Sequence, residues 1–297
     1  MKIGFLGFGE AAFELSTGLK EEGLQSIQAF DVMADDETFG PKIKDRAQRV
    51  GIELKTTLTE LVTDIEILFV AVPASKALEV SKNVREQRNG NTFLYVDVSA
   101  STPKVKQDIE TGLTEDGIAF VDAAMLGPLP VYKHKVPISA SGNGTDELIA
   151  KMEPYHMNIT SVGKRAGDAS AVKLIRSVFM KGIVGLYLET LEASEAFNVS
   201  EEVLSSLENT MDSHSFIDTL NRLVTGSAVH AERRAFELSG SIEMLQEAGI
   251  NANLTQAAKD RLVELAEVSV PYQGEEKPDT WKQVLTRYEL SKSNEGK

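Results

Sequence analysis

The residues best placed to do chemistry lie at the start of the chain. Residues 2–12 read Lys-Ile-Gly-Phe-Leu-Gly-Phe-Gly-Glu-Ala-Ala. A short apolar run passes straight into Gly7-Phe8-Gly9-Glu10-Ala11-Ala12, and a helical pattern follows at once. G-x-G-x-x-A between a strand and a helix is the spacing of a turn that holds a dinucleotide. Gly7 permits the tight bend, Gly9 lets backbone approach a pyrophosphate, and Ala12 keeps helix and strand close. The new helix turns its free N–H groups and positive dipole end toward the phosphates. Gly7, Phe8, Gly9, Glu10 and Ala11 are therefore the expected cofactor-binding set. Asp31 closes a second predicted strand, 22 residues beyond Gly9. That offset suits a carboxylate that binds a ribose 2′-hydroxyl. A 2′-phosphate would meet a like charge there, and Val32-Met33 supplies no Arg to receive it. NAD is expected, with NADP possible. A merely tight turn would leave the joint placement of strand, glycines and Asp31 unexplained.

In an open α/β sheet the ligand lies beyond the carboxyl ends of the strands. Four such ends carry candidate residues. Val72-Pro73 follows the apolar run 65–72; Pro73 either turns the chain over the cofactor or simply ends the strand. Asp97-Val98-Ser99-Ala100-Ser101-Thr102-Pro103 is a hydroxyl-rich turn with Pro103 at a first helical position. Ser101 or Thr102 can cap that helix, which leaves Ser99 to face a nicotinamide or a substrate. Asp122-Ala123-Ala124-Met125-Leu126-Gly127-Pro128 offers small residues and a glycine where backbone could approach a ligand; the alternative is a stiff proline-rich loop. Gly163 to Gly167 is a glycine-bracketed turn that opens a long helix, with Lys173 under two turns in. Lys173 shares a face with Ala169 and Ser177. A lone lysine on an apolar helix commonly snorkels to solvent, but the start of this helix should abut the cofactor domain.

A fifth cluster, His230-Ala231-Glu232-Arg233-Arg234, is a local concentration of positive charge. His230 and Arg234 should share a helix face, and Arg suits a carboxylate. The competing reading is an exposed helix whose arginines pair with Glu232, Glu237 and neighbouring acids. His134, His156 and His214 have no spacing suited to a metal, and none is expected.

Positioning these residues requires two kinds of architecture. The first half alternates predicted strands (2–6, 27–31, 65–72, 93–98, 118–122, 136–141, 158–162) with helices (10–22, 41–50, 75–86, 103–113, 145–152). Runs such as 65–72 are almost continuously apolar, as in strands buried on both faces of a parallel sheet. The pattern is a Rossmann-type, doubly wound α/β sheet with right-handed crossovers. Beyond residue 167 strand signals vanish. One helix is predicted over 168–197, long enough to bridge domains or join a dimer interface. Helices near 200–211, 213–224, 230–248, 255–269 and 278–290 follow. Asn198 and Gly249 are placed as C-caps, Ser200 as an N-cap, and Ser291 to Lys297 as a frayed tail. The expected division is residues 1–165 for dinucleotide binding and 166–297 for an all-α substrate and dimerisation domain, joined by the long helix.

Composition narrows the function. The chain has 297 residues, a net charge of −14 and no cysteine, which removes disulfides, thiolate metal sites and cysteine nucleophiles. An acidic surface disfavours nucleic acid and anionic membranes as partners. No apolar run approaches a bilayer span, and a cytoplasmic location is expected.

Together these motifs resemble the β-hydroxyacid dehydrogenase family, the relatives of 6-phosphogluconate and 3-hydroxyisobutyrate dehydrogenases, over roughly residues 1–195. Gly7 to Ala12 matches its cofactor motif. Asp97 to Pro103 is similar to its D-x-S-T-x-x-P motif, Asp122 to Gly127 to its substrate loop, and Gly167 to Lys173 to the helix motif that ends in its catalytic lysine. The resemblance implies that Lys173 is the general acid/base and that Ser99, Leu126, Gly127 and Ser177 meet the substrate. Ala100, Leu126-Gly127-Pro128 and Ser177 depart from the family's usual Thr, Ser-Gly-Gly and Asn, which alters substrate contacts. The text of the 173–182 helix and the His230–Arg234 segment resemble a branch with a phosphogluconate-dehydrogenase-related C-terminal domain. The implied function is hydride transfer between a nicotinamide and a small, anionic hydroxy acid or its oxo form, in a homodimer. Two alternatives are an imine reductase of the same layout and a nicotinamide-binding regulator without catalysis. Imine reductases usually carry Asp or Tyr near the site, so Lys173 favours the hydroxy acid.

Overall fold

The computed structural model describes residues 1–269 and 277–295. The chain divides into two compact units, Met1–Val178 and Phe179–Lys297. In the first unit the order is β1 (Ile3–Leu6), α1 (Glu10–Glu21), β2 (Ile27–Phe30), α2 (Gly40–Val50), β3 (Glu53–Leu54), α3 (Leu58–Val62), β4 (Ile67–Val70), α4 (Ala77–Gln87), β5 (Leu94–Asp97), α5 (Pro103–Glu115), β6 (Phe120–Met125), α6 (Leu129–Tyr132), β7 (Ile138–Ser141), α7 (Thr145–Met152) and β8 (Ile159–Gly163). Helix α8 (Asp168–Ala196) begins here and continues into the second unit.

The strands form one eight-stranded sheet in the order β3-β2-β1-β4-β5-β6-β7-β8. Alternate residues feed two cores, one on each face. Phe5, Phe69 and Val96 enter the first, while Leu68, Val70 and Tyr95 enter the second. Burial on both sides is the physical reason for the unbroken apolar runs. Phe5 and Phe69 stack across the centre at 5.3 Å between ring centroids.

One expectation fails at the sheet's far side. β7 runs antiparallel to β6, pairing Asp122 with Ser141 and Met125 with Ile138. The intervening segment holds only the four-residue α6 and short turns. A parallel return needs a longer crossover, usually a full helix. α7 provides one, so β8 is parallel to β7. The two-residue β3 and the short α3 and α6 were not anticipated, since elements this small leave no periodicity to read.

The second unit contains the rest of α8, then α9 (Ser200–Asp212), α10 (Phe216–Val229), α11 (Ala231–Glu247), α12 (Asn253–Ser269) and α13 (Trp281–Glu295). Its core gathers Ile242, Leu245 and Ala252, with Ala193 and Ile250 against them. The buried Glu189 carboxylate of α8 accepts the amides of Leu254 (3.1 Å) and Thr255 (3.0 Å), capping α12 from another element. Asn198 and Gly249, expected as C-caps, are left-handed residues just beyond the ends of α8 and α11, at φ 54° and 72°; Ala248 holds the C-cap of α11. Ser200 is not an N-cap: Val199 holds that position, and the Ser200 hydroxyl turns back to Glu195 and Ser194. The tail expected to fray is helical through Glu295, and residues 296–297 lie outside the described residues. Among the described residues no helix is long and apolar enough to cross a membrane.

Candidate functional site

At the first βα turn, Gly7 sits at φ +84°, with an added Cβ only 2.6 Å from the Ala71 carbonyl oxygen. Only glycine fits there without displacing backbone. Gly9 is different. It is the N-cap of α1, no side chain caps the helix, and a Cβ on it would meet nothing within 4 Å. Open space in front of an uncapped helix start is what a pyrophosphate requires. The Asp31 carboxylate accepts the Phe8 amide at 2.7 Å and the Met33 amide at 2.9 Å. This fastens the end of β2 to the glycine turn and points Asp31 at the same locale. The Phe8 ring is buried in the core and its N–H is engaged by Asp31, so what Phe8 gives the turn is packing and anchorage. Gly7, Gly9, Glu10 and Ala11 remain a fit for the phosphates of a dinucleotide.

The hydroxyl-rich turn after β5 is more closed than its sequence suggests. Thr102 caps α5 by accepting the Val105 amide. Ser101 donates to the Ala74 carbonyl at 3.1 Å, so the 2.8 Å contact between the two hydroxyls is a donation from Ser99 to Ser101. The sequence-based expectation of a free Ser99 hydroxyl is therefore corrected: its proton is committed to Ser101, only its acceptor lone pairs remain, and it is 6% exposed. Under the turn lies a group that sequence reasoning missed. Lys106, Asp97 and Asp122 are all wholly buried. The Lys106 ammonium donates to the carbonyls of Asp97 (3.0 Å) and Ser99 (2.9 Å) and stands 3.1 and 3.3 Å from the carboxylates of Asp97 and Asp122. A signal was present: Lys106 falls on one helix stripe with Ile109 and Leu113, a position that should be apolar.

Helix α8 is anchored onto these strand ends. Asp122 accepts both the amide and the hydroxyl of Ser170 at 2.8 Å, and Ser141 accepts the Ala169 amide at 3.0 Å. Gly167, at φ +94°, brings the helix start against Pro103, whose carbonyl oxygen would be 2.7 Å from an added Cβ. Lys173 is half-buried, one turn beyond Ser170, and Ser177 follows on the same face, also partly buried. Burial holds the Lys173 ammonium below the ordinary lysine range; Lys106 pushes it the same way, and Asp122 works against both.

The remaining expected residues are placed as follows. Val72 and Pro73 occupy the loop after β4, beside Gly7 through the Val72 side chain. The Leu126 amide donates to the Pro137 carbonyl at 2.8 Å, and Gly127 is exposed, with ordinary room for a Cβ. His230 and Arg234 belong to the second unit. His230 is the exposed N-cap of α11 and its carbonyl accepts the Arg234 amide at 3.0 Å, while the Arg234 guanidinium folds back to donate to the Ser227 hydroxyl at 2.6 Å. Arg233 pairs with Glu237 at 3.0 Å on the surface. A concavity of about 590 Å³ lined by Lys2, Asp64, Glu66 and Asn91 lies at the amino ends of the strands, away from this chemistry.

Comparisons with known proteins bear on the domains and the fold. Residues 2–101 match the family model described as NADP oxidoreductase, coenzyme F420-dependent, and residues 194–265 match DUF1932, a domain of unknown function. An uncharacterized 28.5 kDa protein of Methanothermus fervidus is 29% identical over 238 residues, covering 80% of this chain and 88% of that protein. A solved conserved protein of unknown function, described as structurally similar to 3-hydroxyacid dehydrogenases, is 27% identical with a TM-score of 0.60, covering 89% of this chain and 98% of its own. An imine reductase variant from Myxococcus stipitatus, in complex with NAD+, shares the fold at a TM-score of 0.74 and 17% identity, over 97% of this chain and 98% of that one. The chain thus joins an NAD(P)-binding oxidoreductase domain to a DUF1932 domain, in a fold common to 3-hydroxyacid dehydrogenase-like proteins and imine reductases, in agreement with the resemblance to the β-hydroxyacid dehydrogenases.

Proposed function

We propose that this protein interconverts a small, anionic hydroxy acid and its oxo form with NAD as partner, and that Lys173 is the general acid/base. The observation that carries the reading is Lys173 itself. It is a half-buried amine of lowered pKa, on a helix anchored to the strand ends of the unit that bears the dinucleotide turn. A bound nicotinamide supplies the two-electron chemistry, accepting or returning a hydride at the substrate carbon. In oxidation the neutral Lys173 amine takes the hydroxyl proton; in reduction its ammonium returns that proton to the oxygen. Ser99, restricted to accepting, can hold a donor of the substrate or of the cofactor amide. The uncapped α1 start takes the phosphates, and the Asp31 carboxylate is the proposed ribose ligand.

The test is nicotinamide absorbance with NAD or NADP and a panel of hydroxy acids, oxo acids and cyclic imines. Turnover of a hydroxy or oxo acid, with a lower KM for NAD than for NADP, is expected. Preference for NADP overturns the role of Asp31. Turnover confined to imines installs the imine reductase reading, with which the fold is equally compatible. Cofactor binding without turnover on any substrate makes the protein a regulator.

A homodimer is part of the same proposal. Ile175 and Val178 on α8 are 70% and 76% exposed, and α9 buries no residue although Leu204, Leu207 and Met211 line it. Apolar exposure on this scale marks an association surface. Sedimentation equilibrium at micromolar concentration should give twice the chain mass, and Val178→Glu should lower it; a monomeric wild type refutes the dimer.

A further inference from the structure

Lys106, Asp97 and Asp122 have no part in the chemistry above, yet they sit where its segments meet. Asp97 and Asp122 are register partners on β5 and β6. Lys106 reaches back from the first turn of α5 to both, and to the Ser99 carbonyl. Asp122 then grips the Ser170 amide and hydroxyl of α8. One buried ammonium therefore connects the Ser99 turn, the two strand ends and the helix that carries Lys173.

A buried ion pair is a poor source of stability, because losing hydration offsets most of the attraction. The position also lies on an apolar helix stripe, where Leu or Met would pack. Charge retained there calls for another use. The charges supply one: one cation against two anions leaves the cluster one unit negative, and a protonated Lys173 brings it to neutrality.

We propose that Lys106 is a positioning residue of this site: clamped between Asp97 and Asp122, it fixes the Ser99 turn and the first turn of α8 as one piece and sets the field that Lys173 meets. The inference rests on the reading of Lys173 as acid/base. The groups facing Lys173 from packed elements are Lys106 of α5 and Asp122 of β6, acting in opposite directions. On its own helix Asp168 is engaged by Arg165 at 3.0 Å, and Arg176 is exposed. Asp97 faces Lys106 and the buried Tyr95 phenol, which burial and Asp97 keep neutral.

The test reads the Lys173 amine directly, without turnover. Cofactor-free protein is acetylated with acetic anhydride across a pH series, and each lysine is followed by mass spectrometry. In the wild type, Lys106 should stay inert until the chain is denatured, and Lys173 should titrate below the exposed lysines. Asp122→Asn should lower the Lys173 midpoint by roughly one pH unit. Lys106→Met combined with Asp97→Asn, which leaves the buried net charge unchanged, should raise it by a similar amount. The kcat–pH profile should move with each midpoint while the KM for NAD stays constant. A merely structural role would expose Lys173 in both variants and raise the midpoint in both. That result, unmoved midpoints in folded variants, or native labelling of Lys106 would overturn the proposal. If Asp122→Asn does not fold, Ser170→Ala removes one hydrogen bond from Asp122, leaves its charge less neutralised, and should raise the midpoint; no change there is equally fatal. Failure of the acid/base reading looks different: Lys173→Ala would keep turnover while the opposed shifts persist.

Discussion

Lys173→Ala is expected to lower kcat by about 10²–10⁴-fold with the NAD dissociation constant nearly unchanged. That is roughly 3–5 kcal/mol of lost transition-state stabilisation. The split follows from the architecture. The dinucleotide turn is held by Asp31, by the Gly7 geometry and by the α1 start, none of which uses Lys173. The amine instead serves the proton. In the wild type, oxidation should quicken with rising pH as the ammonium empties, with a midpoint below the usual lysine value of about 10.4. Reduction, which needs the ammonium, should slow over the same interval. Both limbs should vanish in the Ala variant. Lys173→Arg should not rescue, since a guanidinium stays charged and cannot act as base. Stopped-flow rates and cofactor titration would decide it: a variant within a few-fold of wild type, or one that has lost NAD binding, contradicts the assignment.

The second large effect separates the two glycines of the first turn. Gly7→Ala combines a left-handed backbone, φ +84°, with a Cβ 2.6 Å from the Ala71 carbonyl oxygen. Left-handed backbone costs about 1–2 kcal/mol and the overpacking about 1–3 kcal/mol. A loss of roughly 2–5 kcal/mol is a large share of the 5–15 kcal/mol typical of a whole domain. Gly9→Ala meets nothing within 4 Å and sits at φ −76°, so its stability should change by less than about 1 kcal/mol. Its methyl nevertheless points into the space assigned to the pyrophosphate. NAD affinity should fall about 10–100-fold. Thermal denaturation with and without NAD reads both variants. A Gly9→Ala protein that binds NAD normally would remove the phosphates from this turn.

Much of this site was legible because its signals are local. Gly7 and Gly9 are required by the turn they form, Asp31 by the end of the next strand, and Gly167 by the bend that opens α8. Each requirement concerns backbone within a few residues, so residue type and spacing record it. Lys106 illustrates what is not local. Its stripe with Ile109 and Leu113 marked the position as inward-facing, but its partners are 9 and 16 residues away on two strands, and nothing in the sequence between them names the pairing. Ser99 carries the same lesson in reverse. Its type suggested a free hydroxyl, and only the neighbouring Ser101 bond to Ala74 showed the proton to be committed.

By itself the amino-acid order determined the alternation of strands and helices, the dinucleotide turn and the long helix, because periodicity and glycine placement act through steric and hydrogen-bond rules of short range. Only the tertiary structure decided the reversal of β7, the engaged amide of Phe8 and the buried charges beneath Ser99. Those depend on how far a connection can reach and on which buried polar atoms must find a partner across the fold.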